Sequence, residues 1–229
     1  RIPRLPGTGR ASLTRNAWRD NFFMGTKANG NSYHHGDLRN ALIIAAAELI
    51  EERGSLDFAL VDAARRAGVS SAAPYRHFTD KDALLQAVAE LGFLALTESA
   101  KAVAEEFPVK DEASIIAQGK NYIRFVSGHP EFYELMWGDH ALRSTPQGEG
   151  QLRASGFYVL VETVRAWCVG HDLADQDALE LAIKLWSMAH GLACIEMNHL
   201  AERFMPGVDI YALLEGSTHT FLEGLLKNG

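Results

Sequence analysis

Between Asp57 and Lys81 the chain reads Asp-Phe-Ala-Leu-Val-Asp-Ala-Ala-Arg-Arg-Ala-Gly-Val-Ser-Ser-Ala-Ala-Pro-Tyr-Arg-His-Phe-Thr-Asp-Lys, and few folds satisfy it. Leu60, Ala63, Ala64 and Ala67 recur at spacings of three and four, which puts small apolar side chains on one helical face and lets a partner helix come close. Gly68 follows at once, where a left-handed residue ends a helix without Cβ strain. Val69 can plug the junction and Ser70 can cap a second helix. Ser71 to Phe78 predicts about two further turns, with first residues small enough to bring the backbone near a duplex. Pro74 falls in that first turn, where its missing N–H costs little. Two short helices about a tight turn make a helix-turn-helix, and its second helix is the candidate reader of DNA.

The net charge of −7 argues at first sight against a polyanionic partner, but the charge is divided. Residues 1–80 carry 11 Lys and Arg against 8 Asp and Glu, a net +3, whereas residues 81–229 carry 11 against 21, a net −10. The acidic remainder would repel phosphates, leaving the amino-terminal part as the face that can approach DNA. Before the motif, residues 1–32 hold Pro3, Pro6, four Gly and six Lys or Arg without an apolar period. They read as a flexible basic arm suited to a minor groove. Met24-Gly-Thr-Lys also reads as a natural start, which would put residues 1–23 upstream of the native chain. Tyr33-His34-His35 has no third ligand at metal spacing, so no metal and no cofactor is expected.

Ala67-Gly68-Val69-Ser70, Tyr75-Arg76-His77-Phe78 and Lys81 together resemble the DNA-binding domain of the tetracycline-repressor (TetR) family of transcription regulators, over about Gly36 to Leu85. The resemblance implies an all-α fold of about nine helices. It consists of a three-helix DNA-binding domain (33–81) and a helical ligand-binding and dimerisation domain (82–229). By position, Ser71, Ala72, Ala73 and Arg76 open or face out from the reading helix toward base edges, and Ser70, its cap, completes the DNA-binding set. The resemblance assigns Tyr75, His77 and Lys81 to phosphates. Ala59 departs from the pattern, in which Thr or Ser supplies a cap and a phosphate contact, so one backbone anchor fewer is implied. Trp186-Ser-Met-Ala-His190-Gly191 is similar to the Trp-His-Gly subclass of carboxy-terminal domains.

Helical periods continue through the body. Asp37 can cap a helix to about Arg53 that carries Leu38, Leu42, Ala45, Leu49 and Ile50 on one face. Thr79 with Asp82 resembles a capping box opening a helix of some 25 residues that ends before Pro108, about 38 Å long. Helices are then predicted over Asp111–Gly128, His129–Trp137, Gln151–Val169, Gln176–Arg203 (capped by Asp175) and Asp209–Lys227, with a loop over Gly138–Gly150. The Gln176–Arg203 helix is apolar nearly all round, so it must be covered on more than one side. With the last helix it can form a four-helix interface with a second copy.

Aromatic residues are dense in this body and fit a largely apolar pocket with a few polar groups. The candidate ligand-binding residues are Tyr122, Phe125, Trp137, His140, Phe157, Trp167, Trp186 and His190, each of which also reads as ordinary core. Two cysteines, Cys168 and Cys194, read as small buried hydrophobes, with a redox switch as the other reading. No phosphate loop, nucleophile elbow or spaced Cys pair is present, so an enzyme is the weaker class. A helical ligand binder that has lost DNA binding is a third. No run nears 18 uninterrupted apolar residues and no signal pattern opens the chain, so a cytoplasmic protein without a membrane partner is expected. The reading as a whole is a homodimeric repressor that a small, largely apolar effector releases from a pseudo-palindromic operator in double-stranded DNA.

Overall fold

The computed structural model describes residues 38–108, 110–138 and 156–228, which hold nine α-helices and no strand. Expectations that rest on Asp37, the arm, the Gly138–Gly150 loop and His140 lie outside them, Gly138 itself excepted. The helices are α1 (Leu38–Arg53), α2 (Leu60–Arg66), α3 (Lys81–Glu105), α4 (Glu112–Gly128), α5 (Pro130–Trp137), α6 (Phe157–Gly170), α7 (Ala178–Met197), α8 (Leu200–Phe204) and α9 (Ile210–Asn228). A short 3-10 turn covers Pro74–Arg76.

Aspartate caps decide where four of these helices begin. Asp111 Oδ1 accepts from Ala113 N–H, Asp177 Oδ1 from Leu179 and Glu180 N–H, and Asp209 Oδ1 from Tyr211 and Ala212 N–H. Each bond satisfies donors that the first helical turn cannot pair internally. The long helix starts one residue later than its predicted capping box. Asp80, not Thr79, is the cap, accepting from Ala83 N–H at 2.8 Å, while Thr79 donates to the other oxygen of the same carboxylate. Asp177 likewise replaces Asp175 as the cap of α7.

The predicted Gln176–Arg203 helix is two helices. Asn198 Nδ2 donates to Cys194 O at 2.8 Å, covering a carbonyl of the last turn, and His199 takes φ +53°. That left-handed residue stops α7 and turns the chain into α8. In the long helix α3, Leu84, Val88 and Leu96 are buried, while Leu94 is exposed.

Helix α3 packs on α1 near its start and on α4, α5 and α6 further along, while α4 and α7 form the closest pair in the body. Trp167 on α6 lies in a core with Ile115, Val161, Val164, Leu181 and Leu185. By length and composition α3 and α7 could cross a membrane. Here, however, α3 buries its apolar side against four other helices, and α7 carries the exposed Lys184–Glu180 ion pair.

Candidate DNA-binding face and ligand cavity

The turn after α2 is a Schellman motif. Val69 N–H donates to Ala64 O at 3.0 Å and Gly68 N–H to Arg65 O at 3.2 Å, with Gly68 at φ +72°. This is the geometry that a glycine at this position permits. Leu60, Ala63 and Ala64 are buried, as the spacing predicted. Ala59 caps α2 without a side-chain bond, and Asp62 compensates by accepting from Ala59 N–H at 3.1 Å. That hydrogen bond, ahead of Arg53 and Arg65, holds the Asp62 carboxyl below its ordinary range.

The second motif element is shorter than two α-helical turns. Ala73 N–H donates to Ser70 O, Arg76 N–H to Ala73 O and His77 N–H to Pro74 O, so the chain runs as turns of the tighter 3-10 kind. Pro74 has no N–H to give to Ser70 O, which removes the bond that would have started an α-helix there. Ser70 therefore contributes its carbonyl, and the residue that caps the 3-10 turn is Ala73. Pro74 and Phe78 are buried, and the Arg39 guanidinium lies 5.4 Å from the centre of the Phe78 ring. With those two residues anchored inward, Ser70, Ser71, Ala72, Tyr75, Arg76 and His77 are exposed and Ala73 is half-buried.

The basic side chains of this region divide into used and available. Arg66 pairs with Glu48 at 3.2 Å and with Glu52, tying α2 to α1, and the Glu52 hydrogen bond chiefly raises its pKa. Arg53 pairs with Asp62 and donates to Asp57 O. Arg76 makes no ion pair among the described residues. Lys81, the first residue of α3, rests its ammonium 4.9 Å from the Phe58 ring centre and stays half-exposed. Such a contact holds the stem while leaving the charge beside solvent.

In the body, one cavity lies among five helices. Its wall includes Leu96 and Ala100 of α3, Gln118 and Tyr122 of α4, Phe157 of α6, Leu185 and Trp186 of α7, and Leu214 and Thr218 of α9. About 50 Å³ of it is open to solvent, room for a few waters. A larger guest must push the helices apart. Gly156 closes one end at φ +72°, and a Cβ there would sit 3.3 Å from Leu96 O.

Two family models match the chain, "Bacterial regulatory proteins, tetR family" over residues 42–88 and "Tetracyclin repressor-like, C-terminal domain" over residues 115–220. The chain belongs to the tetR family of regulators. Among solved structures it is similar to a protein of unknown function from Rhodococcus sp. RHA1, at 30% identity and a TM-score of 0.69, covering 85% of this chain and 98% of that one. A candidate transcriptional regulator from Pseudomonas aeruginosa PAO1 shares the fold at 18% identity and a TM-score of 0.60, covering 83% and 90%. The fatty acid degradation regulator FadR from Bacillus halodurans does so at 16% and 0.54, covering 80% and 94%. No curated protein matches. The tetR domains and the shared fold make this a DNA-binding transcription regulator, a class distinct from enzymes.

Among the described residues expected to bind ligand in this tetR-family protein, Tyr122, Phe157 and Trp186 lie on the cavity wall. Trp137 and His190 sit behind it in an aromatic cluster, where Tyr122 Oη is 2.7 Å from His190 Nδ1, and Tyr133 Oη is 3.5 Å from His190 Nε2 and 3.3 Å from Cys194 Sγ. Those polar atoms are occupied by one another. Phe125 instead packs on His129, and Trp167 is buried in the core against His171, both off the wall. Both cysteines are free, and burial pushes the Cys168 thiol up. Helical register missed Gln118 and Asn121. The available signal was Gln118 in line with Ile115 and Tyr122, an amide on the buried stripe of α4.

Burial lowers the pKa of His129 and His190 below the ordinary imidazole value of 6.5. The unfolded chain then binds more protons than the folded one as pH drops through 6.5. Their contribution is whole above that value and is lost as pH falls through the folded values. The urea midpoint should therefore fall between pH 7.5 and 5.5, and fall less in His190→Gln. Asp62 and Glu223, whose folded pKa values are depressed, stay ionised over that window. An equal fall in the variant would remove His190 from the account.

Proposed function

We propose that this regulator is a cytoplasmic, homodimeric repressor released from a pseudo-palindromic operator by a small, largely apolar effector, with residues 33–81 binding DNA and 82–229 binding ligand and partner. The supporting observation is that one helix belongs to both sites. α3 begins at Lys81, beside the exposed turn, and carries Leu96 and Ala100 into the cavity wall. At 1.5 Å per residue those points are about 22 to 28 Å from its start. A guest that moves α3 therefore moves the DNA-binding end.

Dimerisation is supported by large apolar side chains of α7 and α9 that are exposed among the described residues. Leu179, Ile183 and Ile195 of α7 and Leu213 and Leu226 of α9 are exposed. A Cβ at Gly191, Gly216 or Gly224 would meet open space, so backbones can approach there. Two such helices from each copy make a four-helix contact. A monomer by light scattering at micromolar concentration would overturn this part.

Gel-shift with promoter-region DNA from the protein's own locus tests the DNA reading, and absence of a shift at low salt would refute it. On a bound operator, Lys81→Ala should weaken all sequences about equally and reduce the salt slope by about 0.9. Arg76→Ala should instead lose discrimination at one position of each half-site, by about 1 to 3 kcal/mol. Altered sequence preference with an unchanged slope for Lys81→Ala would reverse its assignment to phosphate.

A further inference from the structure

The cavity wall is apolar except at a few side chains, and one of those holds a polar atom without a partner. Gln118 is 5% exposed and donates Nε2–H to Thr163 Oγ1 at 2.6 Å. Thr163 uses its own proton on Val159 O at 2.9 Å. Its oxygen can then only accept from Gln118, which fixes the amide with Nε2 toward α6. Gln118 Oε1 is left buried with no donor in reach among the described residues, on a residue of the cavity wall.

Asn121, on the same stretch of α4 and also on the wall, repeats the arrangement. Its Nδ2 donates to Ser99 Oγ at 3.0 Å, and Ser99 donates to Leu96 O at 2.9 Å. The free end of that amide is again its carbonyl oxygen. Two hydroxyls with committed protons thus hold two amides in the same sense. Native chains rarely bury an acceptor without a donor, and such atoms call for an explanation. No Lys or Arg is among the residues of the wall, so a carboxylate would meet carbonyl oxygens and no countercharge.

We propose that Gln118, seconded by Asn121, is the acceptor pole of this cavity and selects apolar ligands that carry a hydrogen-bond donor. The class is an alcohol, phenol or amide N–H, favoured over ethers and carboxylates of similar size. This rests on the cavity being the effector site and adds which chemistry it takes. A donor group gives Oε1 the hydrogen bond that the protein itself leaves unmade. An ether brings only a second acceptor and strands the amide oxygen.

The test uses the full chain and three probes, hexan-1-ol, its isomer methyl pentyl ether, and hexanoate, titrated calorimetrically at pH 7.5. The alcohol should bind about tenfold more tightly than the ether, and hexanoate should be the weakest of the three. In Gln118→Leu the alcohol-to-ether ratio should fall to about one. Thr163→Val removes the group that orients the amide, so the amide can turn and offer N–H to the ether. There the ratio should shrink through a gain for the ether, and this variant decides the matter if Gln118→Leu does not fold. A ratio near one in the wild type, with both probes bound, overturns donor selection and leaves the apolar effector site standing. Binding of none of the three overturns both. A tenfold ratio that survives either substitution, or preferred binding of hexanoate, also overturns the assignment to Gln118.

Discussion

Saturating effector is expected to weaken operator binding roughly 5-fold to 150-fold, the range of a coupling free energy of about 1 to 3 kcal/mol. The structural basis is α3, which starts at Lys81 and contributes Leu96 and Ala100 to the cavity wall. With room for only about 50 Å³, the cavity must widen to admit a drug-sized guest, and α3 is part of its wall. The ligand can shift the protein only by the difference in its affinity for the two arrangements. Reciprocity then requires operator DNA to weaken ligand binding by the same factor. Titrating a cavity ligand with and without operator measures both sides of this cycle. Identical affinities would show that the ligand fills the cavity without moving α3, and would remove it as the effector.

Trp167→Ala should cost about 3 to 5 kcal/mol of stability, from lost transfer free energy and the cavity left behind. Trp167 is 2% exposed among Val164, Cys168 and Leu181, and its ring stacks on His171 with centroids 4.5 Å apart. The His171 Nδ1 is also 2.8 Å from Trp167 O, closing the end of α6. For a domain of ordinary stability, about 5 to 15 kcal/mol, the loss is about a fifth of the total or more. The urea midpoint should drop with an unchanged slope. A loss below about 1 kcal/mol would mean that neighbouring side chains collapse into the space. The sequence offers Trp167 as a ligand residue as well as a core residue, and the two roles separate here. A core tryptophan moves stability in the absence of ligand, whereas a wall residue such as Phe157 moves ligand affinity first.

What could be read from the residues was local. Gly68 after a small-residue face predicts the Schellman turn, because the signal and the hydrogen bonds lie within five residues. Helix starts at Asp111 and Asp209 follow the same logic, and the 25-residue length of α3 was legible from an apolar period bounded by Pro108. Even locally, competing signals had to be weighed in three dimensions. Pro74 was tolerable in a first helical turn, yet without its N–H the segment closed as 3-10 turns once Pro74 and Phe78 were both pulled inward.

The cavity was not legible, because it is a gap between helices rather than a property of any one of them. Periodicity says that Tyr122, Phe125 and Trp167 face inward or near it, but not which neighbour each inward face meets. Packing sends Tyr122 to the cavity, Phe125 to His129 and Trp167 to the core. Gln118 shows the difference most directly. Along the chain it is one amide in an apolar stripe. Only when α6 brings Thr163 to 2.6 Å, 45 residues away, with its own proton already given to Val159, does the amide acquire an orientation. Its unpartnered oxygen is a product of that contact.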